Sequence, residues 1–208
     1  MKRYLFYFCL CFLNYNSLYA QEAKNRYSLG LNYGQASQNL FPLNDSDYLY
    51  NNQFLKLQVN YKLTQKQNFN FELLLEPSVY FVNYQLLNEQ FIRSETDNYL
   101  ALRRLYTQRR KFLEYALNIG ILLRYNITNN FSSYLLASVG PMVSGADTER
   151  LKKGFAFSDV VGLGFALQQN RITFDFRITL RHNSNLDFAF PNSGHNSSGI
   201  ESGISFQL

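Results

Sequence analysis

The sequence predicts an all-β fold: an eight-stranded antiparallel transmembrane β-barrel of the outer-membrane type. Eight segments alternate between apolar and polar residues with a period of two, as strands with one face of each kind do. The connections between them are alternately short and long, as in membrane barrels with short turns at one end and long loops at the other. The polar faces carry Lys, Arg, Glu and Asn, which suit a small barrel's hydrogen-bonded interior better than the core of a soluble β-sandwich, the alternative that also alternates.

The first four segments show the alternation clearly. They cover residues 26–34, 55–63, 69–81 and 113–127. The third contains Pro77, which cannot donate a ladder hydrogen bond and therefore indicates a local weakening or a bulge. The fourth is the most regular, because an apolar residue or a tyrosine occupies every second position from Leu113 to Ile127. Tyrosines near strand ends also fit the aromatic belt of a membrane interface.

The last four segments cover residues 131–143, 155–167, 171–184 and 200–208. The fifth has a blurred pattern, whereas the sixth alternates large apolar residues with Gly, Ala and Ser. The eighth keeps one apolar parity from Ile200 to Leu208. The short connections, residues 64–68, 128–130 and 168–170, follow the second, fourth and sixth segments. The strand ends that lead into the long connections are therefore expected at the outer surface.

The N-terminal residues predict a secretory signal peptide, residues 1–20, ahead of a single β-barrel domain, residues 21–208. Lys2 and Arg3 precede a short apolar run, and the small residue Ala20 stands at the expected cleavage position. Both cysteines lie inside this run, so the predicted mature chain has neither disulfides nor thiolate metal sites. No later apolar stretch is long enough for a transmembrane helix. The net charge of +5 is mild, and nothing predicts binding to nucleic acid.

The seventh segment places a base and a hydroxyl on its apolar face. The apolar parity runs through Ile172, Phe174, Phe176, Ile178 and Leu180. The same parity then reaches His182 and Ser184, which share a face about 6–7 Å apart at the backbone. Because the segment ends at a long loop, the pair is expected to face lipid at the level of the outer leaflet. Ester hydrolysis needs such a nucleophile and base, although polar residues at a strand end are also typical of a lipid–water boundary.

Two short motifs surround this pair. Residues 181–185 read RHNSN, and residues 191–194 read PNSG. This H-x-S-N stretch with a P-N-x-G turn resembles the signature of the lipid A 3-O-deacylases of the PagL type, also called acyloxyacyl hydrolases, and residues 75–77 and 154–159 are more loosely similar to members of that family. The resemblance implies an esterase of the bacterial outer membrane, its active site facing the outer leaflet. It would hydrolyse an ester-linked (hydroxy)acyl chain of lipid A or lipopolysaccharide without a cofactor.

The same resemblance assigns roles to individual residues. It implies that His182 is the general base, that Ser184 is the nucleophile, and that Asn185 with nearby backbone N–H groups stabilises the oxyanion. Members of the family have an acid two residues after the glycine of the turn, which supports the histidine. In this chain that position is Asn196, which can orient an imidazole but cannot neutralise its cation.

Three residues are candidates to orient the histidine. Asn196 ranks first because it shares the outward parity of Ile200. Glu201 ranks second, since its parity is inward and a bulge would be needed to turn it outward. Asp159 ranks third, because it has the right parity on the sixth segment and is expected diagonal to His182. His195 is interpreted as a loop residue.

Two further predictions concern substrate binding. Phe157 falls opposite His182 if the turn at residues 168–170 is tight, and it would then line a groove for an acyl chain, although ordinary packing against lipid explains it equally well. Basic residues crowd the long loop after the third segment, and a smaller group follows the fifth. These are Arg103, Arg104, Arg109, Arg110 and Lys111, and then Arg150, Lys152 and Lys153. They suit contact with lipid A phosphates, or simply a solvated loop.

Two rival functions remain open at this stage. A non-enzymatic barrel, structural or adhesive, would leave His182 and Ser184 without a role. A narrow porin would use the polar interior, although eight strands generally leave side chains filling it. No metal cluster is apparent in the sequence. The sequence leaves open which acyl position and chain length are chosen, whether the barrel forms a homodimer, and whether the activity is latent in the native membrane.

Overall fold

The computed structural model describes residues 26–208, which form a closed barrel of eight strands. The strands are β1 (Tyr27–Ser37), β2 (Tyr48–Lys66), β3 (Phe69–Leu86), β4 (Arg110–Asn126), β5 (Phe131–Ser144), β6 (Gly154–Gln169), β7 (Ile172–Ser184) and β8 (His195–Gln207). Each strand is antiparallel to the next, and β8 closes the ring on β1. The predicted fold class is confirmed. The predicted signal peptide, residues 1–20, lies outside the described residues.

The two ends of the barrel differ, as the spacing of the segments predicts. Short turns connect β2 to β3, β4 to β5 and β6 to β7, and they define the turn end. The other connections are long and define the loop end. The β3–β4 connection contains a one-turn 3₁₀-helix (Glu89–Phe91) and the helix α1 (Tyr99–Tyr106). Within residues 26–208 no helix has the length and apolar character needed to cross a membrane.

Several strands reach further toward the loop end than the sequence predicts. β2 begins at Tyr48 rather than at residue 55, and β8 begins at His195 rather than at residue 200. The extra residues are rich in Asn and Ser, which favour loops, but here the neighbouring strand pairs with them throughout. Around Pro77 the β2–β3 pairing is interrupted while its register stays the same on both sides. That residue therefore weakens the ladder locally, and the shift in register lies between Lys62 and Thr64.

The outer surface of the barrel is apolar although it is not covered by protein. Ile119, Leu135 and Val161 each leave more than half of their surface exposed, at 59%, 59% and 53%. Exposing a continuous apolar belt to water would cost free energy in proportion to its area, about 25 cal/mol per Å². A hydrocarbon environment removes that cost, which is why outward residues of this kind indicate contact with lipid.

The middle of the barrel is filled by buried ion pairs, here called the interior ion cluster: Lys56, Glu76, Arg177 and Glu201. Lys56 Nζ lies 3.0 Å from Glu201 Oε1, and Arg177 Nη2 lies 2.9 Å from Glu201 Oε2. Arg177 also donates to Glu76. Buried charges persist only when they are paired in this way. The cluster fills the lumen with side chains, which argues against the porin alternative.

Aromatic side chains occupy the interior nearer the loop end. Tyr48, Tyr50, Tyr80 and Tyr84 are buried there, and residues of the β3–β4 connection pack against the same core. Tyr50 Oη donates to Glu114 Oε2 at 2.7 Å, and Arg181 Nη1 donates to the same oxygen at 3.0 Å. This packing fixes the loop ends of β7 and β8, where the motif residues lie.

Candidate active site

The motif residues meet on the outer face of the barrel at its loop end. His182 and Ser184 are half-buried and lie at the C-terminal end of β7, which is at the loop end of the barrel. Toward β6, Ser184 pairs with Phe157 and His182 pairs with Asp159. Toward β8, His182 pairs with Asn196. A base, a hydroxyl, an amide, a carboxylate and an aromatic ring from three adjacent strands therefore share one small area.

The position of Phe157 corrects one prediction. It was expected opposite His182 but lies opposite Ser184, and Asp159 is directly opposite His182 rather than diagonal to it. The cause is the β6–β7 turn, in which residue 169 pairs with residue 172, so that the strands are offset by two positions from the expected pairing. An offset of two keeps every side chain on its predicted face. Phe157 still faces outward, now beside the hydroxyl.

The imidazole of His182 is held by an amide. His182 Nδ1 lies 2.8 Å from Asn196 Oδ1. An amide oxygen can only accept a hydrogen bond, so this contact assigns the proton to Nδ1 and leaves Nε2 as a free acceptor. Within residues 26–208 this is the one hydrogen bond of the imidazole, and none joins it to Ser184. Catalytic hydrogen bonds are often long before substrate binds, so the geometry leaves Nε2 available to a nearby hydroxyl.

Glu201, the second candidate orienter, is excluded in this structure. The β7–β8 register is continuous from Ile172 to Asn183, so there is no bulge to turn Glu201 outward. Its carboxylate is buried inside the barrel and belongs to the interior ion cluster. An acid bound by two cations on the inner face cannot reach an imidazole on the outer face.

His195 is a structural residue of the interior, which corrects its interpretation as a loop residue. It begins β8 and is 1% exposed. Its ring stacks on Tyr50 with the centroids 4.5 Å apart, and its Nε2 lies 3.0 Å from Thr148 Oγ1. The inward parity of Ser197 and Glu201, followed two steps back, would have predicted this. Because His195 is anchored inward, the next residue, Asn196, must face outward toward His182.

Gly194 lies against the imidazole and has no room for a side chain. Its φ is +71°, a left-handed conformation that favours glycine. A Cβ placed there would meet Asn183 O at 2.5 Å and His182 Cε1 at 3.0 Å. The glycine of the P-N-x-G turn therefore lets the β7–β8 loop pass directly over the histidine ring.

Asn185 holds the β7–β8 loop together. Its backbone N–H donates to Asn192 Oδ1 at 2.7 Å, and its side-chain Nδ2 donates to Ala189 O at 2.7 Å. The side chain is buried, with the residue 1% exposed. The backbone N–H and one of the two N–H groups of the amide are engaged within the loop, and the oxyanion role of Asn185 stays a prediction. Asn192, not singled out from the sequence, closes the same loop through Asp187.

Aromatic residues surround Ser184 on the lipid-facing side. Phe155 contacts Phe157 edge-on with the ring centroids 5.0 Å apart, and Phe188 lies 6.5 Å from Phe157. Phe188 and Phe190 of the β7–β8 loop are 72% and 80% exposed. Their exposure suits an apolar ligand or lipid. The predicted acyl groove beside Phe157 has the right surroundings and stays a prediction.

The arginines after β3 lie away from this site. The strand order places the β3–β4 connection on the opposite side of the barrel from the β7–β8 loop. Arg103 donates to Ile92 O at 2.7 Å, and Arg110 donates to Asp147 O at 2.6 Å, so both hold loops in place. Arg104 and Arg109 are exposed. Contact of these four residues with substrate stays a prediction that the strand order disfavours.

No metal centre accompanies the site. Among residues 26–208 no group of three or more His, Cys, Asp or Glu side chains is arranged to hold a metal ion.

Comparison with known proteins identifies the family. The family model described as lipid A 3-O-deacylase (PagL) matches residues 53–205. The fold is similar to the crystal structure of the outer membrane enzyme PagL, with a TM-score of 0.52, 10% identity, and coverage of 87% of this chain and 99% of that one.

Two further barrels are similar at lower scores. Neisserial surface protein A gives a TM-score of 0.49 at 9% identity, covering 88% of this chain and 97% of that one. The outer membrane protein OprG from Pseudomonas aeruginosa gives 0.41 at 12% identity, covering 89% and 97%. No curated protein matches the sequence. Because the family match spans most of the barrel, including both motifs, the chain belongs to the lipid A 3-O-deacylase (PagL) family of outer-membrane β-barrels.

Proposed function

We propose that this protein is a serine esterase that removes an ester-linked acyl chain from lipid A, with Ser184 as nucleophile, His182 as base and Asn196 as the residue that orients the base. The observation that carries the proposal is the contact between His182 Nδ1 and Asn196 Oδ1 at 2.8 Å. It fixes the tautomer in which Nε2 can accept the proton of a serine hydroxyl. The family description points to the chain at position 3.

The reaction follows from this arrangement. His182 Nε2 removes the proton from Ser184 Oγ as Oγ attacks the ester carbonyl, and the resulting imidazolium returns the proton to the departing sugar hydroxyl. The acyl group is then bound to Ser184 Oγ. A water molecule, deprotonated by the same Nε2, releases the fatty acid and restores the serine. Every step uses residues of this chain.

The proposed triad lacks a negative charge on the residue that orients His182. A carboxylate would stabilise the imidazolium formed during the reaction, whereas the neutral amide of Asn196 only orients the ring. Asp159 is exposed on β6 and pairs in register with His182, so it would supply a negative charge on the side of β7 opposite to Asn196. We therefore assign Asn196 to orientation and Asp159 to electrostatic support.

The membrane position follows from the substrate. The phenylalanines around Ser184 place the hydroxyl at the edge of the apolar belt, which is where ester bonds of a lipid lie. Lipid A occupies the outer leaflet, so the loop end of the barrel would face outward. The two motifs would then face the lipid at the outer surface, so that lipid A could reach Ser184 without leaving the bilayer.

The test is mass spectrometry of lipid A from cells that express the protein or its variants. We expect the protein to remove one acyl chain, and Ser184→Ala to abolish that change while the barrel still folds. Ser202→Ala is the matched control, because Ser202 is a serine on the same outer face but lies on β8 away from His182. Lipid A that is unchanged by the wild-type protein would favour a non-enzymatic barrel. Wild-type activity in a folded Ser184→Ala variant would show that the site is wrong.

A further inference from the structure

We propose that Lys153, with Lys152 beside it, binds the phosphate group of the lipid substrate. The inference rests on the proposed function and deepens it, because it defines the substrate as a phosphorylated glycolipid and places its headgroup. It also replaces the arginines of the β3–β4 connection as the expected anion-binding group.

The basic pair is attached to the active-site loop by hydrogen bonds. Lys152 N donates to Pro191 O at 3.1 Å, and Gly194 N donates to Arg150 O at 2.9 Å. Leu151 forms a β-bridge with Asn192 between these two contacts. The β5–β6 loop therefore runs alongside the P-N-x-G turn like an added strand.

The same turn continues to the nucleophile. Asn192 Oδ1 accepts the backbone N–H of Asn185, the residue directly after Ser184, at 2.7 Å. The path from Ser184 to Lys152 thus consists of one peptide bond and two hydrogen bonds joined by the residues of the turn. Among the arginines after β3, Arg110 reaches the β5–β6 loop, where it donates to Asp147 O at 2.6 Å. Within residues 26–208 the side chains of Arg104 and Arg109 form no hydrogen bond with either loop.

The two lysines differ in how their charges are used. Lys152 Nζ lies 3.3 Å from Asp147 Oδ1, and that carboxylate also accepts the backbone N–H of Lys153 at 2.8 Å. The side chain of Lys153 is exposed, and within the described part of the chain its ammonium has no ion-pair or hydrogen-bond partner. Arg150, the next cation, is engaged by Asp45 and stacks on Tyr48.

In the described β5–β6 and β7–β8 loops, Lys153 is the cation whose ammonium group is not paired with another residue. The β7–β8 loop contains no Lys or Arg, and its one acid, Asp187, accepts from Asn192. Asp159 lies beside His182, on the membrane side of Phe157. An anionic headgroup would be repelled from Asp159 and attracted toward the loop end, where Lys153 lies.

The spacing along β6 suits a lipid that contacts both the phenylalanines beside Ser184 and Lys153. Phe157 is level with Ser184, Phe155 lies one pleat nearer the loop end, and Lys153 precedes the strand. At about 3.3 Å per residue, Lys153 lies about 13 Å along the chain direction from the level of the ester. Acyl chains would lie against the phenylalanines and the phosphorylated sugar would lie above them. A lysine binds such a phosphate as a point charge.

The experiment compares two substrates in neutral detergent micelles: lipid A and lipid A from which the phosphates have been removed. The full-length protein and its Lys153→Gln variant are assayed on both. We expect Lys153→Gln to lower the ratio of kcat/KM for phosphorylated over dephosphorylated lipid about two- to fivefold, the range typical of an exposed ion pair. Lys153→Arg should restore the ratio. Arg93→Gln is the control, because Arg93 is exposed in the β3–β4 connection.

Three results would overturn the proposal. The ratio could be unchanged in Lys153→Gln, or it could fall in Arg104→Gln instead, which would return the anion site to the β3–β4 connection. The third result uses dephosphorylated lipid A with an anionic phospholipid added to the micelles. If the effect of Lys153→Gln appears only there, the lysine binds a neighbouring lipid rather than the substrate. Loss of the ratio effect with normal deacylation refutes this inference alone, whereas absence of deacylation refutes the proposed function.

Discussion

The inward and outward faces of β7 use neighbouring residues for different purposes. Arg181 and Asn183 point inward, where both donate to the carboxylate of Glu114 or to the tyrosine beside it. His182 and Ser184 point outward, where a single amide contact holds the histidine. The inward side chains are buried and both donate hydrogen bonds, whereas the outward pair is half-buried and, within residues 26–208, neither His182 Nε2 nor Ser184 Oγ has a hydrogen-bond partner.

The two faces also differ in how their acids are used. The interior carboxylates of Glu76, Glu114 and Glu201 are each paired with an arginine. Removing one of them would leave a buried cation without a partner. The acids of the inner face therefore stabilise the barrel. On the outer face His182 is oriented by Asn196, which faces the same way. The following predictions test this division.

The largest expected effect is loss of turnover in His182→Ala. Without the imidazole neither proton transfer of the proposed reaction can occur, and the expected decrease in kcat is about a thousandfold or more. Thermal unfolding in detergent should be unchanged, because the side chain packs little. The measurement is the rate of fatty-acid release from lipid A by the purified variant. A folded variant with a tenth or more of the wild-type rate would contradict the assignment.

The second prediction contrasts Glu201→Ala with Asn196→Ala. Glu201→Ala leaves Arg177 and Lys56 without their shared carboxylate, which should cost about 3–5 kcal/mol in the free energy of unfolding. Asn196→Ala should leave stability almost unchanged and lower kcat about ten- to a hundredfold through loss of the tautomer contact. Equilibrium unfolding in urea and turnover are measured on both variants. The reverse pattern, with activity lost only in Glu201→Ala, would identify Glu201 as the orienter.

The third prediction uses two glycines with positive φ. Gly194→Ala places a methyl group 2.5 Å from Asn183 O and 3.0 Å from His182 Cε1, and it should lower kcat about tenfold by displacing the loop and the ring. Gly154→Ala is the matched control, because its φ is +111° while no atom lies within 4 Å of an added Cβ. Both variants also place a side chain at a positive φ, which costs stability in each. Equal kcat values in the two variants would show that the effect of Gly194→Ala does not come from its contact with His182.

A smaller gain is expected from Asn196→Asp. A carboxylate at this position keeps the contact with Nδ1 and adds stabilisation of the imidazolium, so kcat should rise severalfold. The acidic limb of the pH–rate profile should move to higher pH, because the added charge favours the protonated ring. An unchanged kcat would mean that Asp159 already supplies the charge that the reaction needs, whereas a decrease would contradict the expected benefit of a carboxylate.

The smallest effect concerns the β5–β6 loop. Burial raises the pKa of Glu149 to about 7, and the carboxyl group has no hydrogen-bond partner within the described residues. A group whose pKa is raised in the folded state contributes stability below its unfolded pKa, and that contribution is lost as the pH rises through 7. The loop should therefore be cleaved faster by protease at pH 8 than at pH 5. Glu149→Gln should remove the pH dependence, and its persistence would locate the titrating group elsewhere.

The sequence is sufficient to predict the barrel and the face of every motif residue, because a period of two survives any even offset of register. The sequence does not predict which residues pair across a turn whose length is unknown. Phe157 was assigned to the wrong partner because the pairing at the β6–β7 turn is set by hydrogen bonds of residues 169 and 172, which no pattern reveals. His195 was missed for another reason. Polar residues around it favour a loop, whereas Tyr50 and Thr148 supply the partners that make it a buried strand residue.

The interior ion cluster has a consequence beyond stability. Side chains of Lys56, Glu76, Arg177 and Glu201 are at most 3% exposed and cross the centre of the barrel. A pore of this diameter would let ions equilibrate across the membrane, and each added copy would increase the leak. We expect a barrel plugged in this way to pass few ions, so that surface area rather than loss of the permeability barrier would limit the amount of protein that a membrane carries. Catalysis at the proposed site on the outer wall would thereby be separated from transport through the lumen.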